Sequence, residues 1–451
     1  VHGPGRAYVA AHRYRLDDWA PYAWRTDDYG ATWTRIADGT NGIPADYPIR
    51  VVREDKVRAG LLYAGTEFGL FVSIDNGARW QTFQRNLPIV PITDISVAHD
   101  DLALSTQGRS FWLLDDVTPL RQLAAARPAT TMHLFAPRVA TRAELGGGGG
   151  AGGVESPVDP YPAGALLHYW LRDSVATELT LDVRDAEGRV ARRFTSDTAK
   201  ARERRLSPLP TGPGAHRVAW DITYEPPAPA KGQLLWGYAG GVKAPPGTYT
   251  AVLAVSATPS SASLPTAPSP THTFTVRGDP RLPTTAADYQ TQFRTAMALR
   301  DTMSVVNDAI ATLRSVRDQV RASVSQADRS ASADAVKGSA DTLVAKGDAI
   351  EGRLTDPRHK VGYDILRFGG QLDNQLNELY GNLTGTGGYI NGGADAAPTM
   401  GQLERTADLT REWNAVAAQL RTFLDKDVVA FNAAMARLGL APVVVPRKVL
   451  K

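Results

Sequence analysis

The sequence contains no cysteine. This absence excludes disulfide bonds, thiolate metal sites and cysteine nucleophiles, although it does not by itself name a cellular compartment. No stretch approaches the ~20 consecutive apolar residues that a membrane-spanning helix needs. The net charge is only +3 over 451 residues, and no run of Lys and Arg forms a track for nucleic acid. We therefore expect neither a membrane span nor a nucleic-acid partner.

The sequence also lacks the spacing patterns of common metal and cofactor sites. Its eight histidines are scattered along the chain, and none of them forms an i, i+4 pair or an HExxH motif. The glycine run at 146–153 does not connect a strand to a helix, as a phosphate-binding loop would. We therefore expect no metal ion and no cofactor.

The sequence contains a succession of regions with different strand, linker and helix patterns. This is expected for a chain of this length, which should form two to four domains. Residues 1–120 read as short strands rich in β-branched and aromatic residues, separated by Gly, Pro, Asn and Asp. Residues 121–163 predict a linker that contains the sequence GGGGGAGG.

Strand patterns resume over residues 164–280. Six short strands are predicted there, at 166–171, 178–183, 189–194, 216–222, 248–255 and 273–276. This number and spacing predict an immunoglobulin-like or fibronectin-like β-sandwich.

Residues 284–451 have a helical pattern. Leu299, Val306, Leu313 and Val320 recur every seven residues, and two further segments repeat the spacing. Sustained spacing of this kind predicts an antiparallel helical bundle. The predicted fold class is therefore multidomain, with β-domains followed by an α-domain.

An eight-residue pattern occurs twice in the first region, as TDDYGATW at 26–33 and SIDNGARW at 73–80. Both copies fit Ser/Thr-x-Asp-x-Gly-x-x-Trp, with Thr26, Asp28, Gly30 and Trp33 in the first and Ser73, Asp75, Gly77 and Trp80 in the second. In a tight turn the carboxylate can accept backbone N–H hydrogen bonds, and glycine supplies a positive φ. We expect the tryptophan to pack between neighbouring sheets, and the turn to be structural.

The strands around these turns repeat as well. Asp75 and Asp115 stand at matching places in two units that are 40 residues apart, a period typical of four-stranded propeller blades. The later unit keeps Trp112, Asp115 and Asp116 but has neither the glycine nor the second tryptophan. It therefore reads as a degenerate last blade.

The turn resembles the Asp box of BNR-repeat β-propellers. As a whole, the chain is similar to the C-terminal portion of exported bacterial proteins of the sortilin-like or glycosyl-hydrolase-like BNR family. The residues that carry this resemblance are LYAGTEFGLFVSID at 62–75 and GRSFWLLDDVTPLR at 108–121. The resemblance implies a partial propeller over 1–120, a following sandwich and helical tail, and a secreted or periplasmic location.

Only about two and a half blades are predicted, whereas a closed propeller needs at least about four blades. The chain begins Val1-His2-Gly3-Pro4, without an initiator Met or a signal peptide. We therefore expect a processed or truncated product, with the remaining blades upstream or in a partner chain.

If this is a propeller, one rim carries the candidate ligand-binding residues and the Asp-box turns lie on the opposite rim. The candidates are Asp17, Asp18, Trp19, Glu67, Gln107 and Arg109. Carboxylates, a tryptophan platform and an arginine could bind a sugar, and Glu67 and Asp18 with Arg109 are the catalytic candidates. The alternative is that all of them are solvated loop residues.

Three functions remain open from the sequence. The preferred one is binding or scaffolding of a protein, peptide or glycan by the propeller. The second is a glycoside hydrolase, sialidase-like or xyloglucanase-like, whose catalytic carboxylates lie mainly on blades outside this chain. The third is an assembly or chaperone factor that acts through the helical bundle.

Overall fold

A computed structural model describes residues 2–125, 130–143, 164–227, 230, 232–235, 240–256, 269–327, 333–361, 363–385 and 394–446. The glycine run at 146–153 lies outside the described residues, as does the rest of 144–163.

Residues 7–114 form three consecutive antiparallel sheets, each with its strands in chain order. Sheet 1 contains β1 (Ala7–Arg13), β2 (Asp18–Thr26) and β3 (Thr34–Ala37). Sheet 2 contains β4 (Ile49–Glu54), β5 (Leu62–Thr66), β6 (Gly69–Ser73) and β7 (Gln81–Thr82). Sheet 3 contains β8 (Ile92–Ala98), β9 (Asp101–Thr106) and β10 (Phe111–Leu114).

Sheet 2 lies between the other two sheets. One face packs against sheet 1 in a cluster that includes Ile36, Ala64 and Trp80, and the other packs against sheet 3 through Tyr63 and Val72. Strands β5 and β6 are buried along their whole length. This two-sided burial explains why their sequence is almost continuously apolar instead of alternating.

Sheets 2 and 3 follow the same path, but the β9–β10 hairpin is one residue longer. Leu62 pairs with Ser73, whereas Leu102 pairs with Leu114. The strand register therefore places Asp116, and not Asp115, at the position that corresponds to Asp75. A constant 40-residue period misses this offset because the extra residue lies in the turn.

The second β-region contains two sheets. A three-stranded sheet has the order β11 (Met132–Leu134), β13 (Ala165–Leu171), β16 (Gly214–Trp220). A five-stranded sheet has the order β12 (Ala140–Arg142), β18 (Thr271–Gly278), β17 (Gly247–Val255), β14 (Leu179–Arg184), β15 (Val190–Thr195). The β12–β18 pair is parallel and the other pairs are antiparallel.

The segment 121–163, predicted as a linker, contributes to these sheets. Helix α1 (Thr118–Ala125) reaches into it, and β11 and β12 lie within it. Both strands are only three residues long and pair with β13 and β18, respectively. Strands this short carry little periodicity, so the sequence pattern could not show them.

The remaining helices are α2 (Thr198–Glu203), α3 (Ala286–Ala327), α4 (Ala333–Leu354), α5 (Asp364–Phe368), α6 (Leu372–Thr384), α7 (Met400–Thr422) and α8 (Val429–Arg437), with a π-helical turn at Phe423–Val428. The heptad residues of α3 are buried, each with at most 3% of its surface exposed. Among the residues that the structure describes, no helix is long and apolar enough to cross a membrane. The expected mixture of antiparallel sheets followed by helices is confirmed.

Candidate functional site

Both copies of the repeated octapeptide form turns that are held by their own side chains. In the first, the Thr26 hydroxyl donates to Asp28 Oδ1 at 2.8 Å and accepts from the Gly30 N–H at 2.9 Å. Asp28 Oδ1 also accepts from the Thr32 N–H at 2.8 Å. The Thr32 hydroxyl, together with these bonds, lowers the pKa of Asp28 to about 2.

The second turn repeats this pattern. Ser73 Oγ donates to Asp75 Oδ1 at 2.8 Å and accepts from the Gly77 N–H at 2.9 Å, and Asp75 Oδ1 accepts from the Arg79 N–H at 2.9 Å. Both carboxylates thus hold the backbone of their own turns.

The two tryptophans of these turns have different surroundings. Trp80 is 3% exposed, and its indole Nε1 donates to the Ile36 carbonyl at 2.7 Å. The Asn41 amide donates to the carbonyls of Ile36 and Gly77, at 2.9 Å and 3.1 Å. The segment that follows β3 of sheet 1 therefore covers the second turn. Trp33 is 45% exposed.

The predicted ligand-binding residues lie at the other ends of the strands, in the hairpins that join equivalent strands of the three sheets. In sheets 2 and 3 the hairpins share their bonding: Glu67 N–H donates to the Pro48 carbonyl at 3.0 Å, and Gln107 N–H to the Pro91 carbonyl at 2.9 Å. In sheet 1 the corresponding connection is the 3-10 turn Tyr14–Leu16, followed by Asp17 at φ 59°.

Two of these hairpins are joined by a chain of side-chain contacts. Arg50 Nε donates to Glu67 Oε1 at 2.7 Å, and the Arg50 guanidinium lies 6.0 Å from the Tyr14 ring. The Tyr14 ring in turn lies 5.9 Å from the ring of Trp19, which is 43% exposed. We call Tyr14, Trp19, Arg50 and Glu67 the rim cluster.

Asp18 adjoins the rim cluster in sequence but is held by other partners. It accepts from the Tyr22 hydroxyl at 2.8 Å and from the Ala20 N–H at 3.2 Å, and it lies 3.1 Å from Arg13. The Tyr22 hydrogen bond is the main cause that lowers the pKa of Asp18. A general acid in glycoside hydrolysis needs a raised pKa, so this environment does not suit that role.

Gln107 and Arg109 are exposed on the sheet 3 hairpin, and Asp17 is exposed in sheet 1. Within the described part of the chain, no hydrogen bond, ion pair or ring contact joins these three side chains to Tyr14, Trp19, Arg50 or Glu67. Of the six candidates, the structure therefore brings Trp19 and Glu67 together. It does so through Tyr14 and Arg50, which the sequence analysis did not single out.

The sequence feature that could have identified Arg50 is its position in β4, where it is the polar residue between the buried Ile49 and Val51. Such a residue points away from the apolar face of its strand, but its partner on another hairpin cannot be read from the sequence. Chemically, the cluster offers aromatic faces and a paired arginine and carboxylate. Among the described residues, no group of three or more His, Asp or Glu side chains is placed to hold a metal ion.

No protein-family model matches the chain, and no curated protein matches it. Among solved structures, it is similar to the extracellular domain of a hybrid two component system from B. thetaiotaomicron, at 12% sequence identity and a TM-score of 0.19. The match covers 61% of this chain and 30% of that chain. This chain thus spans less than a third of the other structure.

Proposed function

We propose that the chain is the C-terminal part of an exported, sortilin-like BNR propeller protein that binds a protein, peptide or glycan. The rim cluster is the observation that carries the binding proposal. It combines the exposed aromatic side chain of Trp19 with the ion pair of Arg50 and Glu67. It lies at the opposite ends of the strands from the aspartate turns at 26–33 and 73–80.

The propeller proposal is supported by how the sheets succeed one another. The first strands of sheets 2 and 3 lie in contact, β4 with β8. In sheet 1, β1 corresponds to β5, and it contacts β4 as β5 contacts β8. The sheets stack face to face. This is the arrangement that radial repetition of four-stranded units produces.

The outer face of sheet 3 supports the proposal that the stack continues. In register, Phe111 and Leu113 correspond to Leu70 and Val72, because Leu70 pairs with Gly65 and Phe111 with Ser105. Leu70 and Val72 are 3% and 7% exposed, whereas Phe111 and Leu113 are 80% and 69% exposed. We propose that further sheets, upstream in the polypeptide or in a partner chain, complete the propeller.

For the two following sheets we propose an immunoglobulin-like or fibronectin-like sandwich. Its support is a shared core in which Trp220 of the small sheet lies 5.0 Å, ring to ring, from Tyr249 of the large sheet. The sandwich and helices would act as a spacer or docking surface. The proposed secreted or periplasmic location rests on the family resemblance.

In the proposed mode of binding, a sugar ring or an aliphatic side chain stacks on Trp19 and Tyr14. Aromatic side chains supply large contact areas at low entropic cost, and they often dominate binding energy. The Arg50–Glu67 pair would orient polar groups of the ligand. Because each charge already has a partner, the site suits a ligand without strong net charge.

The test is binding to a panel of neutral oligosaccharides and peptides with Trp19→Ala and Trp33→Ala variants. The two tryptophans are equally exposed, at 43% and 45%, and stand at opposite ends of sheet 1. We expect Trp19→Ala to weaken binding about tenfold or more and Trp33→Ala to leave it unchanged. Equal effects of both substitutions would refute the rim as the binding site.

The glycoside hydrolase alternative is less well supported by the described residues. Glu67 is bonded to Arg50, and the pKa of Asp18 is lowered, so the pair lacks a carboxyl group adapted to proton donation. Turnover of aryl-glycosides that is lost in Glu67→Gln but kept in Asp94→Asn, a carboxylate on β8, would nevertheless favour an enzyme.

A further inference from the structure

The connection between α4 and α6 displays three large apolar side chains between positions 361 and 366. Val361, Tyr363 and Leu366 are 57%, 67% and 74% exposed. Soluble proteins rarely expose apolar side chains in such groups unless the surface makes contact with something else. We call residues 355–361 and 363–369 the knob.

The knob is held in shape by its own polar groups. Asp364 Oδ2 accepts from the N–H groups of Lys360, at 2.6 Å, and Val361, at 3.0 Å. His359 is 9% exposed, and its Nε2 lies 3.0 Å from the Gly369 carbonyl oxygen. The backbone N–H groups of Lys360, Val361, Asp364 and Leu366, beside the exposed apolar side chains, are thus hydrogen-bonded within the chain.

The outward charge of the knob is positive. Arg358 is 61% exposed at its side chain, and Lys360 and Arg367 are exposed as well. Asp356 is 5% exposed at its side chain and binds Arg358 through both oxygens, while Asp364, which is partly exposed, caps backbone.

Phe368 anchors two of these cations. The guanidinium groups of Arg358 and Arg367 lie 4.6 Å and 5.0 Å from its ring. Cation–π contact keeps both arginines beside the apolar side chains. The charge of Arg358 is paired with Asp356, so Lys360 and Arg367 supply the outward positive charge.

We propose that the knob is a docking surface for an anionic lipid bilayer. Val361, Tyr363 and Leu366 enter the interfacial layer, and Lys360 and Arg367 meet the lipid phosphates. This inference does not depend on the proposed function of the rim cluster.

Three properties favour a bilayer over a protein partner. Three side chains cover far less than the roughly 800 Å² per partner of a stable protein interface, whereas apolar insertion and basic charge together suffice for reversible membrane association. Internally satisfied backbone groups tolerate a medium poor in water. Tyrosine and basic side chains are the residues that prefer the interfacial region.

The test is cosedimentation of the full chain with vesicles of phosphatidylcholine containing about a third phosphatidylglycerol, and with vesicles of phosphatidylcholine alone. We expect binding to the anionic vesicles, weakened severalfold at 0.5 M NaCl because salt screens the cations. Absence of binding to the anionic vesicles, or equal binding to both kinds, would overturn the proposal.

Single substitutions distinguish membrane insertion of the knob from non-specific adsorption of the chain to vesicles. Leu366→Glu should reduce the vesicle affinity about tenfold or more, while Leu16→Glu, at a leucine that is 71% exposed in sheet 1, should not. Lys360→Gln should weaken binding, and Lys337→Gln, at an exposed lysine of α4, should have no effect. Far-UV circular dichroism checks that each variant is folded. If Leu366→Glu does not fold, the vesicle affinity of Lys360→Gln serves as the test instead. Loss caused equally by the control variants, or knob-dependent binding to an acidic protein without vesicle binding, would contradict the bilayer.

Discussion

The two aspartate turns have matching sequences and matching hydrogen bonds, yet they differ in what covers them. Trp80 is buried at the contact of sheets 1 and 2, where Ile36 and Asn41 close over it. Trp33 stands at the same place in sheet 1 and is 45% exposed. The comparison shows that the motif determines the turn itself, whereas the neighbouring sheet determines how much the tryptophan stabilises.

The largest expected difference is between the two tryptophans. Trp80→Ala should lower the free energy of unfolding of the sheet region by about 3–5 kcal/mol, because it leaves a cavity and removes one of the two hydrogen bonds to the Ile36 carbonyl. Trp33→Ala should cost less than about 1 kcal/mol. Urea denaturation followed by far-UV circular dichroism measures both. Similar losses would show that Trp33 is covered in solution.

The second largest expected difference is between the stability costs of alanine substitutions at Gly77 and Gly30. Both have positive φ, 86° at Gly77 and 90° at Gly30, so an added side chain strains each by about 1–2 kcal/mol. At Gly77 a Cβ would also lie 2.8 Å from Ile36 Cβ, whereas at Gly30 the nearest atom is 3.7 Å away. We expect Gly77→Ala to cost about 1–3 kcal/mol more than Gly30→Ala, since overpacking adds to strain. Equal midpoints in urea would contradict this contact.

Sheets 2 and 3 extend the comparison to register-equivalent residues. Val72→Ala should cost about 2 kcal/mol because Val72 is 7% exposed. Leu113→Ala should cost less than about 0.5 kcal/mol in this chain, since Leu113 is 69% exposed. If a further sheet or partner chain is added and covers Leu113, Leu113→Ala should then destabilise the assembly. An unchanged assembly would argue against the proposed continuation.

The smallest effect is the pH dependence of the first turn. The pKa of Asp28 is about 2 in the folded chain against an ordinary value of 3.8, so its carboxylate stabilises the fold above pH 3.8. That contribution is lost as the pH falls toward 2. Asp28→Asn should therefore flatten the decline of the urea midpoint between pH 4.5 and 2. An identical decline in both proteins would show that the turn bonds are absent in solution.

Much of the secondary structure followed from the sequence because alternation and heptad spacing are local signals. The strand predicted at 166–171 is Ala165–Leu171, and the strand predicted at 248–255 is Gly247–Val255. The short strands β11 and β12 were missed because their partners are distant segments. The extra residue that makes Asp116 equivalent to Asp75 was likewise hidden in a turn.

For the candidate site, the sequence predicted the hairpins and Trp19 and Glu67, but it did not predict the contacts. Arg50 binds Glu67 across 17 residues and also lies over Tyr14, which belongs to another sheet. Side-chain type and spacing identify groups able to bind. They do not identify which of those groups meet, because that depends on how separate sheets pack.

By itself, the sequence determined the two aspartate turns and the longer strands and helices, since these depend on neighbours within a few residues. Only the tertiary structure decided that Trp80 is buried while Trp33 is exposed, and that Arg50 joins two hairpins. It also decided that Val361, Tyr363 and Leu366 project from one basic knob. The physical reason is that burial and side-chain pairing depend on segments that come together only when the chain has folded.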